Sequence, residues 1–432
     1  MNDNSVNIRG ARIVDPSCDR DEIGDIFVRD GFIVDSGAKA DGSAREIDAK
    51  GLVAAPGWID LHVHFREPGG ETSETVASGS KAAARGGFTT VVTMPNTTPP
   101  VDSPLQVRRQ AELGQAAGHV RTLQAGCITK GRQGRMLADI AGMVEAEAVA
   151  FTDDGQTVDD NELMRAAMIE CARLRRPVMD HALDPAAAGQ GVMHEGALAR
   201  RLGLPGIPSS AESSIVQRDI ALCRETGCAI HIQHVSAQES LKHIRAARRE
   251  GLPVTGEATP HHLFFNENLL ENGDANGKMN PPLRTEKDRQ ALLAAVADGA
   301  LSALATDHAP HPAAAKGLSL RDAPFGVTGL ETAAAATYTV CVASGLMSIM
   351  EWIRRWTEGP ASILGLPAPS LAPGSPCHAV LLDLNVEFTP QPRLFASCST
   401  NSPFIGIALR SRVVHTLFHG RTTWSAEIGY ET

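Results

Sequence analysis

Two histidines one residue apart close an apolar run near the start of the chain, in the stretch IDLHVHFREPGG at residues 59–70. Because successive side chains of a strand point to opposite faces, we expect His62 and His64 on the same face. Two neighbouring imidazoles in an apolar setting are typical of a metal site. The alternative is that one or both are hydrogen-bonded core or turn histidines, so the rest of the chain must decide.

More residues of the same chemical types occur where later apolar runs end, namely Asp154 in AFTDDG, His181 in VMDHA, His234 in IQHVS and Asp307 in ATDHAPH. A closed parallel barrel gathers the ends of its strands around one axis. Four imidazoles and two carboxylates there are the right type and number of ligands for two zinc-like ions that keep a position open for water. The sequence therefore predicts a dinuclear metal site formed by His62, His64, Asp154, His181, His234 and Asp307.

One carboxylate of such a site has to bridge the two ions, which would then lie roughly 3.5–4 Å apart. We expect Asp154 to be this bridge, with Asp153 as the competing choice, because the sequence does not decide which of two adjacent carboxylates points inward. The other one is expected to accept bonds from backbone amides in the turn. The alternative for the whole set is six unrelated buried polar residues, but buried charges are rare unless they are paired or ligated.

The elements that must position these residues begin at about Gly51, where apolar strand candidates alternate with amphipathic helical stretches such as NELMRAAMIECARLR. This alternation is how a parallel sheet with crossover helices looks in sequence. Eight such units predict a (β/α)8 TIM-type barrel with its chemistry at the C-terminal ends of the strands. The strand candidates are GLVAAPGWIDLHVHF, FTTVVTMPN, RTLQAGCITKG, AVAFTDDG, PVMDHAL, AIHIQHVS, PVTGEATPHHLFF and LSALATDHAPH.

Both ends of the chain carry short β-like pieces, VNIRGARIVD and GDIFVRDGFIVDSG at the start and CHAVLLDLN and SRVVHTLFHGRTTW at the end. Neither end is long enough to bury a core alone, so we expect the two to pair as one small composite β-sandwich beside the barrel. The predicted organisation is an N-terminal part of the sandwich at 1–53, the metal-dependent barrel at 54–365 and the C-terminal part of the sandwich at 366–432.

Composition excludes several classes of protein. The 432 residues carry 40 basic and 50 acidic side chains, a net charge of -10, which gives no general attraction for nucleic acid or an anionic membrane. No apolar run approaches the length of a membrane span, and the start lacks a basic segment followed by an apolar core, so we expect a cytoplasmic location. The eight cysteines form no C-x-x-C pair, which argues against a disulfide scaffold. An anionic substrate would need local cations.

Several motifs together carry a family resemblance, and they extend over nearly the whole chain: DLHVHFREPG, TMPNT, FTDDG, QHVS, TPHHL, KMNPPLR, ATDHAPH, FGVTGLE and SPFIGIALRSRVV. In this order they closely resemble the dihydroorotases of the long, bacterial type within the amidohydrolase superfamily. The resemblance implies a barrel with a composite β-sandwich, two zinc ions per chain, and the reversible interconversion of N-carbamoyl-L-aspartate and L-dihydroorotate in pyrimidine biosynthesis. The six predicted ligands fall where the family has its metal ligands, and Asp307 also matches the catalytic acid/base.

The same resemblance assigns substrate contacts. Residues matching those that hold the substrate carboxylate are Arg66, Asn96 and His311, and residues matching other substrate contacts, mainly to the dihydropyrimidine ring, are His64, Asn280, Phe325 and Gly326. The residue types agree, because a guanidinium grips a carboxylate through two parallel bonds. Structural alternatives stay open at this stage. Arg66 could form a surface ion pair with a neighbouring glutamate, the two asparagines lie beside prolines and could shape turns, and His311 could be an ordinary loop residue.

Two rival functions remain. Another cyclic-amide hydrolase would keep the metals, but hydantoinases and allantoinases often bridge them with a carboxylated lysine on the fourth strand, and AVAFTDDG has no lysine. A catalytically silent homologue, serving as a structural partner of aspartate carbamoyltransferase, should lack ligands, yet all six are present. Association with that transferase and a homodimer are the macromolecular assemblies to test for. The segment HPAAAKGLSLRDAPFG after the last strand is either a lid or a static connector.

Overall fold

The computed structural model describes residues 4–35 and 44–430, so parts of the predicted terminal segments, at 1–3, 36–43 and 431–432, lie outside the described residues. The strands are β1 Val6–Asp15, β2 Arg20–Arg29, β3 Phe32–Val34, β4 Arg45–Asp48, β5 Val53–Pro56, β6 Trp58–Val63, β7 Phe88–Thr93, β8 Arg121–Gly126, β9 Ala150–Phe151, β10 Val178–Asp180, β11 Met193–His194, β12 Gly206–Ile207, β13 Ile230–Ile232, β14 Val254–Ala258, β15 Ala303–Leu304, β16 His378–Phe388, β17 Leu409–Phe418 and β18 Arg421–Ser425.

The helices are α1 Val76–Arg85, α2 Pro104–Ala117, α3 Ile140–Glu145, α4 Asn161–Arg173, α5 Pro185–Ala188, α6 Ala197–Leu202, α7 Ser209–Thr226, α8 Gln238–Arg249, α9 Pro260–Phe264, α10 Glu286–Ala297, α11 Ala313–Lys316, α12 Ala333–Thr337, α13 Ile349–Trp356 and α14 Glu358–Leu364. Short 3-10 turns lie at Pro16–Cys18, Lys130–Arg132, Glu267–Leu270, Ala275–Gly277 and Pro392–Leu394, and a π turn lies at Tyr338–Val342. None of the described helices is both long and apolar enough to cross a membrane.

The central feature is a parallel sheet in the order β6-β7-β8-β9-β10-β13-β14-β15. Each of the eight predicted stretches contributes one of these strands, so the predicted barrel is confirmed. The sheet is nearly closed, because Val63 forms a parallel bridge with His308 beyond the last strand. Thr306 also donates its N–H to the buried Asp60 of β6 over 3.0 Å. Closure brings the C-terminal ends of the first and last strands side by side.

Helix ends in the barrel follow local capping chemistry. Thr75 before α1 and Thr285 before α10 each form a capping box with the residue three positions on, Ser78 and Asp288. Asp160 accepts two backbone amides at the start of α4. These caps fix where α1, α4 and α10 begin, and with it the length of the loop between each of these helices and the preceding strand.

The two ends of the chain form a second, mixed sheet in the order β18-β17-β16-β5-β1-β2-β3, with β4 beside β1. Its two halves meet where β16 pairs antiparallel with β5, in a register that places Ala379 opposite Pro56. Buried residues from both ends, including Ile8, Ile13 and Leu381, form one small core. The predicted pairing of the terminal segments is therefore confirmed, and it takes the form of one continuous sheet. The exact domain boundaries stay a prediction.

Candidate active site

Two buried clusters of metal-ligand type lie at the C-terminal edge of the barrel. One contains His62, His64 and Asp154, and the other contains Asp154, His181 and His234, with one ligand atom of each residue within 4.8 Å of the others in its cluster. Asp154 belongs to both. Five of the sequence-predicted ligands, from four barrel strands, are thus brought together, although they span more than 170 positions in the chain.

Barrel topology explains this convergence. His62 lies in β6 and His64 directly after it, while the other residues follow the ends of β9, β10, β13 and β15 by one to three positions. Parallel strands present these ends at one edge. The six residues, His62, His64, Asp154, His181, His234 and Asp307, are called the pocket floor below, and all are buried.

Asp154 occupies the centre of the pocket floor. Its Oδ1 lies 3.1 Å from His62 Nε2, 3.8 Å from His181 Nδ1 and 4.0 Å from His234 Nε2. Its Oδ2 lies 3.5 Å from His64 Nε2. One carboxylate thus faces imidazoles of both clusters, which is the arrangement required of a bridging ligand.

The neighbouring Asp153 is turned away from the floor. Its Oδ1 accepts the backbone amides of Ile128 and Thr129 at 2.9 and 3.1 Å, and the Thr129 hydroxyl donates to its Oδ2. The structure therefore places Asp154 in the clusters and gives Asp153 the turn-bonding role that was the alternative for either carboxylate.

Asp307 lies at the margin of the floor and belongs to neither cluster. Its Oδ1 is 3.2 Å from His64 Nε2 and 3.5 Å from His62 Nε2. Its backbone φ is 46°, and Arg66 and His234 also have positive φ, at 59° and 31°. Non-glycine residues adopt this region rarely and at an energetic cost, and such residues concentrate at functional sites.

The electrostatics of the floor suit a cation. Burial alone would lower the pKa of His62, but Asp154 and Asp307 raise it well above its usual value. Burial would likewise raise the pKa of Asp154, yet His62 and His64 hold it well below its usual range. Burial lowers the pKa of His181 and His234, which keeps both imidazoles neutral and able to ligate. The negative field at His62 Nε2 is what a bound cation would experience.

The donor set fits metal ions for a second reason. His181 Nδ1 and His234 Nε2 face each other at 2.9 Å, and the buried His62 Nε2 makes no well-aligned hydrogen bond to any described residue. Nitrogen lone pairs that converge in a dry site are otherwise unfavourable. Two buried His/Asp clusters sharing one aspartate are therefore consistent with a binuclear metal site.

A buried glutamate that the sequence analysis did not identify supports the floor from below. Glu257 of β14 lies 3.2 Å from His62 Nδ1 and 3.0 Å from His231 Nε2. Burial would raise its pKa, but hydrogen bonds from His231 and His62 lower it to about 2. A carboxylate on the far nitrogen of a ligating histidine fixes the ring and its tautomer. The feature of the sequence that could have identified Glu257 is an acidic residue within a buried strand.

Both asparagines assigned by resemblance touch the floor. Asn96 Oδ1 lies 3.0 Å from His64 Nδ1, and its Nδ2 donates to Asp154 Oδ2 over 3.2 Å. Asn280 Nδ2 lies 3.3 Å from His181 Nε2. Asn96 therefore orients the floor as well as bordering the space above it, a contact that a purely turn-shaping asparagine would not make.

Above the floor is a cavity of about 220 Å³. Its lining includes every residue to which the resemblance gave a substrate contact, together with all of the floor except the deeper His62: His64, Arg66, Asn96, Asp154, His181, His234, Asn280, Asp307, His311, Phe325 and Gly326. Residues separated by as many as 262 positions thus face one small space.

One side of the cavity, called the pocket wall below, consists of Arg66, His311, Phe325 and Gly326. The Arg66 Nε–H donates to Pro310 O over 3.4 Å, and its guanidinium makes no ion pair with any described carboxylate. The expected alternative, a surface pair with a neighbouring glutamate, is not what the structure shows. His311 Nε2 donates to Phe325 O over 2.8 Å, and burial and then Arg66 lower the pKa of His311 to about 4.

Comparisons with known proteins agree with this geometry. A family model described as Dihydro-orotase-like matches residues 51–240. A dihydroorotase of Geobacillus sp. (strain WCH70) is 42% identical over 402 residues, which cover 93% of this chain and 94% of that protein. A dihydroorotase of Pelotomaculum thermopropionicum is 41% identical over 415 residues, covering 96% of this chain and 97% of that protein.

Solved structures show the same architecture. The L-hydantoinase (dihydropyrimidinase) from Arthrobacter aurescens superposes with a TM-score of 0.85 at 25% identity, covering 97% of this chain and 95% of that one. A dihydropyrimidinase from Brevibacillus agri gives a TM-score of 0.84 at 23% identity, covering 99% and 96%, and this likeness concerns the fold alone. The sequence relatives are the more specific, since they exceed 40% identity over nearly the full length. Together with the two metal-type clusters, they show that this chain belongs to the dihydroorotase family of metal-dependent amidohydrolases.

Proposed function

We propose that this chain is a two-zinc enzyme that interconverts N-carbamoyl-L-aspartate and L-dihydroorotate in pyrimidine biosynthesis, with the site roles given below. One observation carries the proposal: a single cavity has the two metal-type clusters as its floor and an unpaired guanidinium, that of Arg66, in its wall. A metal site beside a free cation suits a substrate with both a cyclic amide and a carboxylate. The family membership supports the same reaction.

His62 and His64 would hold one ion, His181 and His234 the other, with Asp154 between them and Asp307 at the margin. Imidazole and carboxylate ligands of this kind suit zinc. When bound, two such ions lower the pKa of a water from about 15.7 to about 7 and stabilise negative charge on the carbonyl oxygen. Asn96 and Glu257 hold the ligand side chains in place.

Asp307 is the proposed proton carrier. It borders the cavity, and its Oδ1 lies 3.2 Å from His64 Nε2. In ring opening, its carboxylate accepts a proton from the attacking water and delivers it to the ring nitrogen as the amide C–N bond breaks. In ring closure, it takes a proton from the attacking ureido nitrogen and gives it to the departing water. The same carboxyl group serves both directions, as reversibility requires.

Arg66, with Asn96 and His311, is the proposed grip on the substrate carboxylate. The guanidinium can meet it through two parallel hydrogen bonds, and partial exclusion of water strengthens that contact. His64, Asn280, Phe325 and Gly326 are proposed to contact the rest of the substrate, chiefly its ring. All of these residues line the same cavity.

The test is to count metal in the purified chain and to assay ring opening of L-dihydroorotate beside hydantoin and allantoin. Each assay is run before chelation, after chelation, and after readdition of zinc, manganese or cobalt. About two metals per chain and selective, zinc-restored turnover of dihydroorotate are expected. Bound metal without turnover of dihydroorotate would contradict the proposed reaction, and faster turnover of hydantoin would favour the rival cyclic amidase.

Three further expectations stay predictions: a homodimer, association with aspartate carbamoyltransferase, and a cytoplasmic location. The transferase is relevant because it makes N-carbamoyl-L-aspartate, the substrate for ring closure. Sedimentation of the chain alone and with that transferase would test both assemblies.

A further inference from the structure

A segment of the C-terminal sheet crosses to the pocket. Residues 395–402, called the C-terminal strap below, connect β16 to β17 and are anchored along their length. The Ala396 N–H donates to Glu331 over 2.8 Å, the Cys398 N–H to Glu74 over 3.1 Å, and the Ser399 hydroxyl to Ser73 O over 2.7 Å. The strap therefore has a defined position against the barrel.

Near its end the strap carries a buried asparagine that contacts the pocket wall. Asn401, 4% exposed, donates from Nδ2 to Gly326 O over 3.1 Å and to Ala309 O over 3.3 Å. Its Oδ1 accepts the His311 N–H at 3.0 Å. The side chain thus holds two adjacent loops together, and its whole amide group is occupied by their backbone.

Only an amide of this length satisfies that pattern. The backbone of Ala309, His311 and Gly326 offers two carbonyl acceptors and one N–H donor, and the asparagine side chain supplies two N–H donors and one carbonyl oxygen. Because these groups are buried, each unmet hydrogen bond would be costly. These hydrogen bonds fix the position of His311 relative to Gly326 within the pocket wall.

A second side chain holds the same carbonyl. Lys316 Nζ donates to Gly326 O over 2.8 Å, to Pro324 O over 3.0 Å and to Lys278 O over 3.1 Å. Gly326 has a φ of 121°, and a Cβ there would lie 2.7 Å from Ala309 Cβ. The backbone of Gly326 therefore lies too close to Ala309 to leave room for a side chain, and both Asn401 and Lys316 donate to its carbonyl oxygen.

We propose that Asn401, together with Lys316, is a positioning residue that sets the binding of the substrate's carboxylate end by holding His311 and Gly326 at a fixed separation. The inference rests on the proposed function, because it assumes that the cavity takes a ring with a carboxylate. Neither side chain needs to touch the substrate. The effect should appear in substrate affinity, while Asp307 and the metal-type clusters, which Asn401 does not contact, keep their geometry.

The sharpest variant is Asn401→Asp, which keeps the size and the acceptor for His311 but replaces both donors with an oxygen that faces two carbonyls. We expect KM for L-dihydroorotate to rise roughly 10- to 100-fold, with kcat changed less than about threefold, as displacement of a binding group predicts. Calorimetry with orotate, which retains the carboxylate, should show a similar loss of affinity. Metal content should equal that of the wild type.

The matched control is Ser399→Ala, which removes a buried hydrogen bond of the same strap to Ser73 rather than to the wall. It should leave KM and orotate affinity unchanged, and an equal rise of KM in this variant would overturn the proposal. Unchanged KM in a folded Asn401→Asp enzyme would also overturn it, as would a fall confined to kcat. If Asn401→Asp does not fold, Lys316→Met tests the second side chain that binds the Gly326 carbonyl. A wild-type KM in Lys316→Met would also overturn the proposal.

The wild type is measured first, so that two failures are distinguished. A wild-type chain that neither opens dihydroorotate nor binds orotate overturns the proposed function and this inference with it. Wild-type turnover combined with unaltered KM in the variants overturns the inference alone.

Discussion

The pocket floor and the pocket wall are built on opposite principles. The floor collects side-chain nitrogens and carboxylate oxygens directly beyond the barrel strands, with Asp154 at its centre. Much of the wall is backbone from loops, held by side chains elsewhere, and Asn401 reaches His311 from 90 residues away. The floor is positioned by sheet topology, whereas the wall is positioned by a few long-range hydrogen bonds.

The difference suggests separate energetic roles. Charges in the floor are buried and mutually paired, so removing one leaves others uncompensated and should affect metal binding and chemistry together. Hydrogen bonds in the wall are neutral or singly charged and act on backbone position, so weakening one should reduce substrate affinity and leave the floor intact. The predictions below test whether the two regions separate in this way.

The largest effect is expected for Asp154→Ala. This change removes the carboxylate shared by both clusters, and metal contributes several kcal/mol to such reactions, so kcat/KM should fall by at least about a thousandfold. Metal per chain, measured by mass spectrometry, should fall from about two to less than one. Asp153→Asn is the matched control, because Asp153 bonds only the turn. Equal loss of metal in the control would contradict the central role of Asp154.

Arg66→Met should have the next largest effect, and it addresses the wall alone. Loss of a bidentate, charged contact to a carboxylate typically costs a few kcal/mol, so we expect kcat/KM for dihydroorotate to fall about 100- to 1000-fold. Most of the change should be in KM, and metal content should stay at the wild-type value. Arg66→Lys should recover only part, since an ammonium lacks the fork geometry. Metal loss in Arg66→Met would break the separation of wall from floor.

The sequence predicted more of the pocket floor than of the pocket wall. The convergence of the six floor residues was predictable because alternation places His62 and His64 on one face and barrel closure brings strand ends together. Spacing left Asp153 and Asp154 undecided, because the choice depends on which carboxylate meets the amides of the turn at Ile128 and Thr129. That contact depends on the tertiary structure, so the spacing of residues in the sequence does not reveal it.

The wall residues were assigned only through resemblance to a family, and their supports were not identified. Asn401, in STNSP, has no local feature that distinguishes it from a turn asparagine, and its partners lie 75 to 92 residues away. Glu257 was missed for a similar reason, since it meets His62 across 195 residues. Periodicity reports which face a residue occupies, but it carries no information about a distant partner on that face.

A smaller effect is expected for Glu257→Gln. The neutral amide keeps the shape but loses the negative charge beside His62 and His231, so metal affinity should fall roughly 10- to 100-fold, as for other partners of ligating histidines. At saturating zinc, KM should match the wild type, because the wall is untouched. Competition with a fluorescent chelator measures the affinity, and Glu250→Gln, at an exposed ion pair with Arg224, is the control. Unaltered metal affinity in Glu257→Gln would show that the floor does not depend on this carboxylate.

The smallest effect concerns a proton on His311, at the junction of the two regions. Its Nε2–H is committed to Phe325 O, and burial and then Arg66 hold its pKa at about 4, so the free ring is neutral and Nδ1 carries no proton. A ligand carboxylate near Nδ1 would stabilise the protonated ring and so raise the pKa of His311. Arg66, Lys316 and His64 act in the opposite direction, since each lowers this pKa.

Binding of orotate should therefore take up a fraction of a proton near pH 6, and affinity should fall as pH rises between about 4 and the higher pKa of the complex. Calorimetry in buffers of different ionisation enthalpy measures that uptake directly. His311→Asn keeps an amide able to face the carboxylate but removes the titration, so its uptake should drop by the His311 contribution. Equal uptake in wild type and variant would mean that any proton comes from the floor, and that His311 meets the ligand, if at all, as a neutral ring.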